Sequence, residues 1–165
     1  MTLVLRNMQK LVKLNIGRLE TEINILRKCF DVEIFDMSVL CICDEEMATL
    51  NSAYRRIDST TDVLAFPFYE GLEPGMLPEV DNLDEMILGD IFLGVSHIND
   101  QCKKYGADFQ ETLPIMLTHG MCHLLGYDHE TEEQWRKMYS KELHILDEFN
   151  KLTGKTCKPL TAVGH

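Results

Sequence analysis

The 165-residue sequence has no Cys-x-x-Cys pair, although six cysteines stand at positions 29, 41, 43, 102, 122 and 157. That spacing excludes a cysteine-rich zinc ribbon and a dithiol redox motif. With no signal peptide, free thiols in a reducing compartment are expected. No apolar run approaches the roughly 20 residues of a membrane span, so no membrane partner is expected. Lysine and arginine are absent between Ile57 and Cys102, where ten acids stand. The net charge of −11 excludes a protein that coats nucleic acid with a broad basic surface. Acids are absent in turn from residues 1–19, which hold Arg6, Lys10, Lys13 and Arg18. Any RNA contact must therefore be local, through a few arginines such as Arg55 and Arg56 at the border of the acidic stretch.

What is present reads as one domain, 1–150, with a polar tail from Lys151 to His165 expected to fray. No repeat, linker or low-complexity tract interrupts it. Thr2 to Arg6 has the pattern of a strand, and Leu19 to Phe30 has helical spacing of Leu19, Ile23, Leu26 and Phe30. Phe35 to Cys43 reads as a buried strand. Asp44 is placed to cap a helix that turns Met47, Leu50 and Tyr54 inward. A strand over Val63 to Phe68 is expected at a sheet edge because of Pro67. The loop Tyr69 to Glu85, rich in Gly, Pro and acid, reads as a solvated insertion, with a lid as the alternative. Met86 to Gly94 is an apolar strand whose single acid, Asp90, is expected to be buried in a structural hydrogen-bond network. Helices follow over Ser96 to Tyr105 and Phe109 to Leu125. A capping box at Thr131–Gln134 opens a last one to about Phe149, with Trp135, Met138, Leu143 and Leu146 inward. This order predicts an α/β (α+β) fold: a single small domain, one mixed sheet and helices packed on it.

Three of the six histidines fall within eleven residues, at His119, His123 and His129. Residues four apart share a helix face, so His119 and His123 can address one ion. Gly126 stands where a left-handed glycine would end the helix and return His129 as a third ligand. Three neutral imidazoles with an open fourth position is the ligand set of a catalytic zinc site. Core and surface histidines are the plain alternative. Cys122, between two of the ligands, faces elsewhere on the helix and is expected to pack. The spacing matches metzincin-type peptidases, but those carry Glu after the first His as general base, and here that position is Gly120. An electrophile that already carries charge, such as a phosphodiester, suits this ligand set better.

Upstream, Leu50 to Pro67 is dense in polar side chains. Arg55 there offers a five-donor fork suited to phosphate oxygens, or a surface partner for Asp58 or Asp62. His-Gly-x-x-His-Leu-x-Gly-Tyr-Asp-His at His119 to His129 resembles the signature of the YbeY family of endoribonucleases. So do the Leu50–Pro67 segment and Leu-Gly-Asp-Ile at Leu88 to Ile91. The resemblance runs from about Leu3 to Leu146. The chain departs from the family pattern at Ile57, usually Lys, and Thr60, usually Pro.

The resemblance implies a single-strand-specific endoribonuclease acting in maturation of small-subunit ribosomal RNA and in ribosome quality control. It implies one Zn2+ held by His119, His123 and His129 on a central helix. Arg55 would serve RNA binding and catalysis. RNA and the small ribosomal subunit, or one of its proteins, are the implied partners. Asp128 has two readings, orienting a ligand or capping the turn after Gly126. The resemblance, to a eukaryotic-type member that would serve organelle ribosomes, implies a mitochondrial matrix location, with the cytoplasm or nucleus as alternatives. Residues 1–19 are acid-free but lack the Ser and Arg richness of a targeting segment. The rival functions are a non-catalytic ribosome assembly factor with a structural zinc and a metzincin-like peptidase.

Overall fold

The computed structural model describes residues 2–160. Four strands form one mixed sheet: β1 (Leu3–Asn7), β2 (Asp36–Ile42), β3 (Val63–Pro67) and β4 (Ile87–Gly94), in the order β1-β2-β4-β3. β1, β2 and β4 run parallel, and β3 returns antiparallel at the edge, where the prolyl nitrogen of Pro67 has no strand neighbour to serve on its outer side. Five helices accompany it: α1 (Ile16–Cys29), α2 (Asp44–Arg55), α3 (Val95–Tyr105), α4 (Phe109–Leu124) and α5 (Glu132–Thr153).

Strand alternation sorts the helices onto two faces. Ile91 and Leu93 of β4, with Val63 and Ala65 of β3, bury against α1, α3, α4 and α5. Phe92, Leu64 and Phe66 point the other way, into a small cluster with Met47 and Leu50 of α2. The main core therefore lies between the sheet and four helices, while α2 alone covers part of the opposite face. Among the described residues no helix is long and apolar enough to cross a membrane.

Several local expectations need correction. Asp44 is the first residue of α2 rather than its cap, which is Cys43 without a side-chain bond. Tyr54 is 67% exposed, its ring leaning edge-on against Phe66 at 4.8 Å between centroids. Asp90 is exposed because it shares the parity of Phe92 and faces away from the main core; Ser38 of β2 donates a hydrogen bond to it. The capping box at Thr131 is present, but the stripe that α5 buries is Met138, Glu142, Ile145, Leu146 and Phe149. Leu143 is exposed.

The tail is docked rather than frayed through residue 160. Pro114 inside α4 has no N–H, which frees the Gln110 carbonyl from its helical partner. Lys155 Nζ donates to that carbonyl at 2.9 Å and pairs with the buried Glu22 of α1 at 2.9 Å. Cys157 is buried beside it and Leu160 packs on the core. His165, given no role from sequence, lies outside the described residues.

Candidate metal centre

α4 owes its position to a glycine. A Cβ on Gly120 would meet three side-chain carbons of Ile91 at 3.1, 3.3 and 3.4 Å, so the helix lies against β4 at glycine distance. The vacant side-chain direction at 120 therefore points at the sheet. A glutamate there would be driven into the core rather than toward the histidines, which removes the metzincin analogy on geometric grounds. Asp108 caps α4 by accepting from the backbone N–H of Gln110 and Glu111.

At the other end the helix stops at Gly126, which is left-handed with φ +89°. Any Cβ there would stand 2.4 Å from the Leu72 carbonyl oxygen, so only glycine fits against the 69–85 loop. The loop is tied to the turn by Gly75 N–H donating to Leu125 O at 3.3 Å. Part of it thus packs on the turn between the second and third histidines, unlike a purely solvated insertion. A cavity of about 340 Å³ opens beside the turn, lined by Pro74, Tyr127, Asp128, Gln134 and Lys137 among others.

The chain path brings all three histidines together. His123 Nε2 lies 3.2 Å from His119 Nε2 and 3.2 Å from His129 Nε2, with the ligand atoms all within 4.8 Å of one another. Zinc–nitrogen bonds of about 2.0–2.1 Å at tetrahedral angles set imidazole nitrogens about 3.3 Å apart, so the two 3.2 Å spacings fit the ion. The His123 tautomer fits as well. His123 Nδ1 is 3.0 Å from the Tyr127 carbonyl, which can only accept, so the ring proton is assigned there and the Nε2 lone pair faces the centre. His119 Nδ1 stands 3.5 Å from Glu142 Oε1 of α5, at ion-pair range rather than in a formed hydrogen bond.

Burial, reinforced by the two neighbouring imidazoles, lowers His123 to about 4. Burial also lowers His129. Neutral imidazoles are the form that ligates. Cys122 is fully buried and its thiol is pushed well up by burial and by Glu142, so it packs and does not ligate. Asp128 Oδ1 accepts from His129 N–H at 2.8 Å, which is the turn-capping role of the two expected.

Arg55 is not gathered into this cluster. It is the last residue of α2, exposed, on the face of the sheet opposite α4, and among the described residues its side chain makes no hydrogen bond or ion pair. Both nevertheless sit at the same end of β3. Tyr54, next to Arg55, leans on Phe66, while Leu124, next to His123, approaches the position where a Cβ on Gly89 would stand, and Gly89 pairs with Pro67. One edge strand separates them. Glu142 is the residue that sequence reasoning missed. The available signal was an acid on the stripe Met138–Glu142–Ile145–Phe149, where helical spacing otherwise places apolar side chains.

The family described as endoribonuclease YbeY matches residues 3–150. A human protein named endoribonuclease YbeY is 42% identical over 161 residues, covering 98% of this chain and 96% of its own. A protein of the same name from Acetivibrio thermocellus is 35% identical over 159 residues, covering 91% of this chain and 98% of its own. The solution structure of a Thermotoga maritima protein shares the fold, with a TM-score of 0.55 at 22% identity over 98% of this chain and 100% of that one.

Proposed function

Since the chain belongs to the YbeY endoribonuclease family, we propose that it is a zinc-dependent endoribonuclease that cleaves single-stranded RNA. On this reading it serves maturation and quality control of small-subunit ribosomal RNA. The observation that carries the reading is the gathering of ring nitrogens from His119, His123 and His129 within 4.8 Å of one another. When bound there, the ion supplies a Lewis acid that offsets negative charge on a phosphodiester oxygen.

The protein's own groups supply the rest. Tyr127 O holds the ring proton of His123 on Nδ1, which leaves its Nε2 as the donor, and Glu142 Oε1 stands 3.5 Å behind His119 Nδ1. Gly126 and the Asp128 cap fix the turn that delivers His129. Arg55 takes RNA phosphate. Its exposed fork at the end of α2 suits a single strand that passes over the edge of β3 and brings the scissile phosphate to the histidines. A duplex is far stiffer and follows such an edge poorly, which favours single strands. Arg55→Ala is expected to raise KM more than it lowers kcat; a pure kcat loss would place the guanidinium at the reacting phosphate instead.

Cellular location belongs to the same proposal. The basic, acid-free residues 1–19 favour the mitochondrial matrix and its ribosomes. β1 is part of the sheet, so this signal would have to act without cleavage inside Leu3–Asn7. Import of a fusion bearing residues 1–30 tests it, and a purely cytosolic signal rejects it.

The deciding experiment is cleavage of single-stranded RNA by metal-analysed protein, beside a duplex control and His123→Ala. Cleavage of single strands that scales with zinc content and disappears in the variant supports the nuclease. One bound zinc without cleavage of any RNA would instead make the protein an assembly factor with a structural ion.

A further inference from the structure

α5 buries four apolar side chains and one acid along a single stripe. That acid, Glu142, is 4% exposed. Among the described residues no lysine or arginine pairs with it, and its Oε2 has no hydrogen-bond partner. Burying a carboxylate without a full set of partners works against folding, and a glutamine or leucine would suit the stripe better. Among the described residues the basic group it faces is a ring nitrogen, His119 Nδ1, at an ion-pair distance of 3.5 Å that is not yet a hydrogen bond. The next ligand along the helix has the neutral Tyr127 carbonyl in the same place.

We propose that Glu142 is a positioning residue of the metal centre, accepting the Nδ1–H of His119 once the site is loaded and setting a buried negative charge against the bound cation. The proposal rests on the reading that the three histidines bind a divalent metal. A carboxylate behind an imidazole fixes its tautomer and rotation and raises its strength as a donor. It also gives the charge of the ion a counter-charge within the protein. His119 thereby becomes the strongest donor of the three. A group unfavourable to the metal-free fold and favourable to the loaded one marks function retained against stability.

The test is zinc affinity by chelator competition, with urea unfolding of the metal-free protein, for wild type, Glu142→Gln and Glu142→Leu. Glutamine keeps an acceptor for Nδ1–H and loses the charge; leucine loses both. Affinity is expected to fall in the order wild type, Gln, Leu, by about 10-fold to 100-fold. Metal-free stability is expected to hold or rise in both. Wild-type zinc binding with both variants inside twofold of it would overturn the proposal alone. So would a loss of metal-free stability in both variants, which marks a structural tie between α5 and α4. A wild type that takes up no zinc would overturn the metal reading first, and the role of Glu142 with it.

Discussion

Placing a methyl group on Gly120 tests how the metal helix is seated. Its Cβ would lie 3.1 Å from Ile91 Cδ1, 3.3 Å from Cγ2 and 3.4 Å from Cγ1, whereas carbon pairs are most stable at about 3.5–4.0 Å. Ile91 is 0% exposed and its strand is bonded on both sides, to β2 and to β3, so it has little room to yield. Alanine favours a helix interior over glycine by about 0.8–1.0 kcal/mol. Overpacking of a tight core costs about 1–3 kcal/mol. The clash is expected to win, leaving Gly120→Ala about 1 kcal/mol less stable, within the ranges of both effects. Ile91→Val deletes the carbon nearest the new methyl and should alone cost about 0.5–1.5 kcal/mol. The double variant should then be more stable than the sum of the two losses allows, by about 1 kcal/mol of coupling. Urea unfolding of the four proteins in chelator, read at equal m, measures the cycle. A Gly120→Ala protein that gains the full helix preference would refute the close approach, as would an additive cycle.

Three further outcomes are expected. Lys155→Ala leaves Glu22, 6% exposed, with Arg18 as its one remaining cationic partner among the described residues, and frees the Gln110 carbonyl. It should lower unfolding stability by about 3 kcal/mol, and a loss under about 0.5 kcal/mol would contradict the docked tail. Gly126→Ala must force a left-handed backbone on alanine, at about 1–2 kcal/mol, and also displace the Leu72 carbonyl 2.4 Å away. Its zinc affinity should fall at least tenfold through misplacement of His129, as read by chelator competition; unchanged affinity would detach the turn from the site. In native protein Cys29 and Cys43 should label first with a disulfide reagent, while Cys41, Cys102, Cys122 and Cys157 stay slow. Burial raises Cys41 to about 12 and Cys157 to about 11, which suppresses their thiolates as well as their access. Mass spectrometry of the modified peptides would expose any other order.

Local patterns carried most of the fold. Helix spacing, the Thr131 capping box and the position of Pro67 are each read over a few residues, and the ligand trio is one continuous segment. What could not be read was long-range. Lys155 meets Glu22 across 133 residues of chain, and its second partner exists only because Pro114 frees a carbonyl on another helix. Asp90 is flanked by apolar residues and so reads as buried, yet its parity in β4 turns it to the side that α2 leaves partly open. On α5 an apolar Leu143 read as inward, whereas the buried stripe runs through Glu142, Ile145 and Leu146 and leaves Leu143 outside. The distance of Arg55 from the histidine cluster has the same character. Its neighbourhood is set by which strand lies at the sheet edge, and no local spacing encodes that.

The compactness of the ligand segment bears on how the ion enters. A cation held by residues 119, 123 and 129 ties together only about ten residues, most of them already ordered by α4. By the logarithm of loop length, closing about ten residues removes roughly 2 kcal/mol less unfolded-chain entropy than closing a span of 133, the separation that Lys155 and Glu22 bridge. The metal is thus poorly placed to act as a staple between distant parts of the chain. The sheet and its four helices complete themselves from other contacts, and the histidines become a loading dock on a finished building. An ion bound there would exchange on a timescale set by opening of one turn rather than by unfolding.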